Sequence, residues 1–333
     1  MAEAKKHPVS FSPADPRPRL DFFLLLMVVI WAANYSVLKI AFKEIPPQPF
    51  NAMRMLIASG VYLYAIREGR RRAKAGLLSP TLVDVVYTKH DLTTSDRLML
   101  VWLGVVGHFG YQMCFVGGVN LTSVSNAALI IGATPVAVAL VSAGLGRERL
   151  GWMHWVGAAV SASGIYFVVG HSASFGGATL RGDLLMLLSV ACWATYTIGA
   201  SRLMARHSPL YVTGMTMTVG AIPYTLAALP RFLDVHWAAV SAWTWTALPL
   251  SALLALNLSY LIWYMAVKQI GPSRTSIYSN VVPIVAMAIA WLWLGEPLTA
   301  VKIAGAAAVI AGVLLTRIAK RPAAVAAAEC VES

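Results

Sequence analysis

The chain has 333 residues, of which 58% are hydrophobic and only 12% charged, with a formal net charge of +12; soluble domains carry roughly a quarter charged residues. The charges cluster, leaving 22–38, 98–146 and 184–201 without a single Asp, Glu, Lys or Arg. These runs are close to, or multiples of, the roughly 20 apolar residues that a bilayer-crossing helix needs. The composition excludes a water-soluble globular chain and implies an integral membrane protein.

Taken in chain order, the apolar runs between breaks predict a short basic N-terminal segment, 1–20, and then ten helices at 21–43, 48–66, 97–118, 123–143, 152–170, 183–204, 209–229, 243–266, 273–294 and 300–318. The first apolar run follows basic residues as a secretory signal does. A copy of it deep inside the chain argues that it is retained as structure. Between the second and third helices lies the one sizeable loop, 67–97, whose middle suits either a membrane-surface segment or a disordered linker. The Ala-rich tail, 319–333, reads as disordered.

The chain repeats itself. Trp31, Pro47, Met53 and Met55 recur 162 positions later as Trp193, Pro209, Met215 and Met217. Further on the offset is 148, pairing Pro135 with Pro283, Glu148 with Glu296, Leu150 with Leu298, Gly157 with Gly305 and Gly164 with Gly312. The difference is an insertion between Ile66 and Arg97. Each half, 21–170 and 181–318, holds five predicted spans. Five is odd, so the second half enters the membrane from the opposite side, and the repeats are inverted, the architecture of alternating access. With the N-terminus cytoplasmic, twenty of the 26 cations fall on inside segments and four outside (Lys43, Arg181, Arg231, Lys302). The positive-inside rule then places both termini in the cytoplasm. The net charge is a topology signal and not a nucleic-acid footprint.

Trp31 and Asn34 in the first span, Lys39 near its end and Arg54 in the second resemble the drug/metabolite transporter superfamily, EamA type. So do the segments 125–164 and 273–312, each opening on small and polar residues, carrying a mid-helix proline and closing on a glycine and glutamate before a glycine-spaced helix. The resemblance covers about residues 20–318. It implies ten helices, inverted five-helix repeats and a central cavity that opens alternately to each side. Family members carry amino acids, other metabolites, sugars or drugs, so the resemblance implies a mechanism and leaves the cargo open. The first copy reads Gly146-Arg147-Glu148 where the second reads Gly295-Glu296, a departure that leaves the fold intact.

Polar side chains inside apolar spans need partners and turn inward. Trp31, Asn34 and Tyr35 share one face of the first span, His108, Tyr111 and Gln112 of the third, Trp193, Tyr196 and Thr197 of the sixth, and Asn257, Tyr260 and Tyr264 of the eighth. Asn126 opens the fourth, and Tyr278 and Asn280 precede Pro283 in the ninth. These residues are candidates for the cavity lining, with interhelical hydrogen bonding as the plainer alternative. Pro135 and Pro283 break their helices at equivalent places, either as paired hinges or as passive kinks. His108, the one histidine near a span centre, is a candidate proton carrier or a neutral hydrogen-bonded core residue. No acid lies mid-membrane. Lys39 and Arg54 are candidate anion contacts, weighed against snorkelling to headgroups or pairing with Glu44 or Glu296. The glycines of the fifth and tenth spans read as close helix packing.

Cys114, Cys192 and Cys330 form no metal or redox pattern, and no motif calls for a cofactor or metal. Ser36-Val-Leu-Lys39 matches a serine-nucleophile pattern but lacks its companion motifs and sits inside a span, so a membrane enzyme is the weaker class. The sequence therefore predicts a carrier whose partners are the lipid bilayer and a small-molecule substrate, exporting amino acids or related metabolites across a bacterial inner membrane. Efflux of toxic compounds is the alternative. Oligomeric state is not encoded in any feature read above.

Overall fold

The structure, a computed structural model, describes residues 18–88, 90–144, 152–173, 177–276 and 278–318. The tail expected to be disordered and the Gly146-Arg147-Glu148 turn lie outside these residues. Among them there is no strand. Ten long helices correspond to the ten predicted spans: α1 (Pro18–Ala41), α2 (Pro47–Lys74), α4 (Thr94–Leu121), α5 (Val124–Gly144), α6 (Trp152–Ala173), α7 (Gly177–Met204), α8 (Pro209–Ala228), α9 (Ala242–Ile270), α10 (Tyr278–Leu294) and α11 (Ala300–Ile318). A short α3 (Pro80–Val86) belongs to the insertion.

The insertion differs from expectation. Helix α2 runs two turns past residue 66, because Glu68 accepts from Arg71 Nη2 at 3.0 Å and Arg72 Nε at 2.7 Å, pairs of the i,i+3 and i,i+4 kind that sustain a helix in water. Helix α3 then folds back, bringing Val86 against Gly69. Lys268 Nζ donates to Asp84 O at 3.2 Å, and the Thr88 and Ser208 hydroxyls meet at 3.2 Å. The segment is an ordered strap across the ends of α2, α8 and α9.

The breaks near Pro135 and Pro283 are present. Helix α5 is interrupted between Ile131 and Thr134, and α10 opens on a 3₁₀ turn, Tyr278–Asn280, with a short helical turn, Pro272–Thr275, ahead of it. The pyrrolidine ring displaces the carbonyl four residues back; for Pro135 that carbonyl, Ile131 O, accepts the Thr134 hydroxyl at 2.6 Å.

Two further irregularities were not expected. Helices α4 and α9 each contain a π-helical turn, Val105–Gly110 and Ala252–Leu258, whose ends lie 148 residues apart. In α9 three successive carbonyls of this turn take side-chain donors. Trp31 Nε1 donates to Ala255 O at 3.1 Å, and the Tyr62 hydroxyl lies 2.9 Å from Leu256 O and 3.0 Å from Asn257 O. Such turns persist in a bilayer only where protein supplies the missing partners. The glycine-spaced pair packs as expected: a Cβ on Gly312 would lie 2.5 Å from Gly157 O, and one on Gly164 2.8 Å from the Ala308 methyl, so α6 and α11 meet backbone to backbone.

Candidate functional site

The helix breaks converge on one place. The proline breaks of α5 and α10, the π turn of α9 and the end of the π turn of α4 surround a central cavity of about 50 Å³. A water needs at least about 10–15 Å³ on this measure, so the cavity admits a few waters and no amino acid. Its wall is aromatic. Tyr111 and Trp193 have ring centroids 5.0 Å apart, Trp193 and Tyr260 5.2 Å, and Trp31 and Trp193 5.8 Å.

Eight of the sequence-predicted residues line it: Trp31, Asn34, Tyr35, Arg54, Tyr111, Gln112, Trp193 and Tyr260. Several come in pairs related by the repeat. Trp31 and Trp193 are one such pair. Gln112 and Tyr260 are another, and they bond to each other, Gln112 Nε2 donating to the Tyr260 hydroxyl at 3.3 Å.

Arg54 loses two of the three roles that the sequence left open. Neither snorkelling nor paired with Glu44 or Glu296, it is 1% exposed. It lies on the face of α2 that also buries Asn51, Met55 and Ala58, which aims it into the helix bundle and away from the headgroups. Nη1 donates to Asn51 Oδ1 at 3.0 Å and Nη2 to Asn34 Oδ1 at 3.4 Å, while Nε has no protein partner. No carboxylate among the described residues pairs with it. A guanidinium is always charged, so the cavity wall carries one positive charge whose partners among the described residues are two amides.

Lys39 is also corrected. Its Nζ donates to the carbonyls of Val119, Asn120 and Thr122 at 2.8, 2.8 and 2.6 Å. An ammonium has three donors, and all three close the C-terminal end of α4, where cations are favoured.

The remaining candidates stand behind the wall or beyond its ends. His108 is fully buried, with Nε2 3.1 Å from Thr216 Oγ1. Tyr196 reaches the same hydroxyl at 2.7 Å and packs on Tyr264 at 5.3 Å. Asn257 Nδ2 donates to Ala58 O at 3.0 Å. The Asn126 N–H donates to Ser123 Oγ at 3.1 Å at the start of α5. Tyr278 donates to Asp21 Oδ1 at 2.5 Å, tying α10 to α1, and Asn280 occupies the 3₁₀ turn. Pro135 and Pro283 shape the breaks without lining the cavity.

Sequence reasoning missed Phe115, Ile131, Thr134, Ala255, Leu256, Ser279 and Val282, which complete the wall. One signal was present. Ile131 and Thr134 stand four and one residues before Pro135, and Ser279 and Val282 stand four and one before Pro283, so the repeat places the same two helical positions at the cavity twice.

Polar contacts tie helix ends together on both sides of the bundle. On one side Glu44 accepts the Ser241 N–H at 2.8 Å and its hydroxyl at 2.9 Å. That backbone donor first, then the Thr244 and Ser241 hydroxyls, hold the Glu44 carboxyl below the usual carboxylate range. On the same side Glu296 caps α5, accepting Val124 N–H at 2.7 Å, Ser125 N–H at 3.1 Å and the Ser125 hydroxyl at 2.7 Å. At the other end Arg206 and His207 approach Asp96 at 3.6 and 3.3 Å.

A family model described as "EamA-like transporter family" matches the chain twice, over residues 19–170 and 180–318. A Bacillus subtilis protein named an uncharacterized transporter, YyaM, is 29% identical over 239 residues, covering 70% of this chain and 78% of that one. A Streptantibioticus cattleyicolor protein named "Probable terminal-alkyne amino-acid exporter" is 26% identical over 295 residues, covering 88% of this chain and 91% of its own length. A solved crystal structure at 18% identity superposes with a TM-score of 0.62 over 92% of this chain and 99% of the other, a likeness of fold alone.

Proposed function

The chain belongs to the EamA-like transporter family of multi-pass membrane proteins, and on that footing we propose that it is a secondary carrier exporting amino acids or related carboxylate-bearing metabolites. The reading places it in a bacterial inner membrane with both termini cytoplasmic, the two halves acting as inverted repeats that expose the central cavity to each side in turn. Arg54 is the observation that carries it: a buried guanidinium on the cavity wall, bonded among the described residues to Asn51 and Asn34 alone, is the natural partner of a carboxylate. The aromatic wall supplies the apolar remainder of the site. The name of the Streptantibioticus cattleyicolor relative supports the same cargo class.

The cavity's size between two sets of polar contacts fits an occluded stage of such a cycle. The seat of His108, behind the wall and bonded to Thr216, favours its structural role over proton carriage. The aromatic wall also favours the second reading, efflux of toxic aromatic compounds, which needs no carboxylate.

Efflux from liposomes containing only this protein separates the two. Labelled amino acids leave, and Arg54→Gln raises their KM by roughly 10- to 100-fold, the worth of a lost charge-assisted hydrogen bond of about 1.5–3 kcal/mol. If carboxylate-free aromatic amines leave instead and Arg54→Gln does not slow them, the toxic-compound reading replaces this one. A pH gradient that drives efflux equally in His108→Ala removes the histidine from the coupling.

A further inference from the structure

A second cavity, larger than the central one, opens between α1 and α9. Its volume is about 390 Å³, and apolar side chains such as Val37, Ala247, Leu250 and Leu254 dominate its lining. It lies in the half of the bilayer nearest Glu44, since α1 ends and α9 begins there. At its mouth stand Trp243 and Trp293, each about half exposed, at the level where tryptophans mark the headgroup boundary. Asn34 and Ala255 line both this crevice and the central cavity.

The repeat supplies a control. The equivalent seam, α7 against α4, is shut by two glycines. Gly107 lies directly beneath the Tyr196 ring, and a Cβ on Gly199 would come 2.5 Å from Leu103 Cδ2. Their counterparts by the offsets of 148 and 162 are Ala255 with Asn34, and Val37 with Ser251. All four line the crevice. One seam is built for backbone contact, and the other, through the residues that replace the glycines, is built open.

We propose that the α1–α9 crevice binds one acyl chain of a phospholipid from the Glu44-side leaflet. Both helices are membrane-length and apolar, so the medium at the crevice mouth is hydrocarbon. An apolar groove of this volume left without protein filling forfeits packing on every wall, which a lipid tail restores. The two tryptophans frame the mouth at the depth where the headgroup would sit. A bound chain would rest against Asn34 and Ala255, one layer from Arg54, and would hold α1 and α9 apart. The inference rests on membrane embedding and on the seam, and is independent of the cargo.

The test uses the full chain reconstituted with a phosphatidylethanolamine carrying a diazirine at the end of one acyl chain, photolysed and mapped by mass spectrometry. Adducts concentrate several-fold on 29–37 and 246–254 over the equally lipid-facing Ile222 and Leu226 of α8, which are 60% and 62% exposed. Ala247→Trp, which fills the crevice, lowers adducts on α1 to the α8 level. Leu250→Trp does the same from the exposed rim, where no core packing is disturbed. Even labelling of all bilayer-facing helices, or labelling of α1 that survives both substitutions, means annular lipid only and overturns the proposal.

Discussion

In the first half of the chain the Arg54 guanidinium reaches Asn34 across α1 and α2. In the second half the positions 162 residues on are Thr216 and Tyr196, joined across α7 and α8 through their hydroxyls at 2.7 Å. The duplicated scaffold has kept a bonded pair at one spot and changed its chemistry. The neutral version is sealed: Thr216 Oγ1 gives its own proton to Val212 O at 2.8 Å, which leaves it to accept from Tyr196 and from His108. The charged version faces the cavity with an unpartnered Nε. The seams behind the two pairs differ in the same sense, glycine-closed beside Tyr196 and open beside Asn34. Among the residues lining the central cavity the one cation, Arg54, thus sits on the side of the open seam.

Exchanging the seam residues breaks this comparison most forcefully. Gly107→Ala with Gly199→Val gives the closed seam the residues of the open one, and both new side chains run into neighbours, Tyr196 and Leu103. Overpacking of this kind costs about 1–3 kcal/mol per site, so the double variant loses several degrees of melting temperature or fails to accumulate. The reciprocal Ala255→Gly costs only the roughly 0.5–1 kcal/mol of a mid-helix glycine. Equal losses from the two exchanges would mean that the open seam is as tightly packed as the closed one. Thr216→Val comes next. It keeps the shape but leaves the Tyr196 hydroxyl and His108 Nε2 without their partner, a penalty of about 1–3 kcal/mol, read by thermal unfolding in detergent. An unchanged melting temperature would show that the neutral pair does not hold the closed side.

The outline of this architecture was legible because it is periodic. Apolar runs fix ten helices, and the offsets of 162 and 148 pair them. Trp31, Trp193, Gln112 and Tyr260 were found because polar and aromatic residues at helical spacing in lipid must turn inward. Arg54 stayed open between anion contact and snorkelling because a cation's distance from the helix end says nothing about its azimuth, and only the packing of α2 reveals which face is buried. The π turns of α4 and α9 contain no proline, although Pro249 stands just before the second. The α9 turn takes donors from Trp31 and Tyr62 of other helices, contacts about 200 residues distant in sequence that no local pattern encodes. His108 and Tyr264 have the composition of wall residues and stand one layer behind, a difference of depth that a helical face cannot express.

The smallest effect concerns the loops, where the halves again exchange chemistry. Glu44 and Arg206 are 162 positions apart, and each follows the end of its helix, α1 or α7, by two or three residues. Each grips the start of a helix from the other half, Glu44 at Ser241 and Arg206 at Asp96. Only the Glu44 end is a carboxylate reaching across to a helix N-terminus, a favourable arrangement for a negative charge. Because Glu44 is held below the usual carboxylate range, its contribution is complete above that range and is lost as pH falls through the lowered value. Glu44→Gln should therefore reduce hydrogen-exchange protection of the first turn of α9 at neutral pH without moving the global melting temperature. The deficit relative to wild type should close on acidification, as the wild-type carboxyl protonates. A deficit that persists unchanged at acid pH would locate the effect in side-chain shape, and the two ends would then differ in residue type but not in their response to protons.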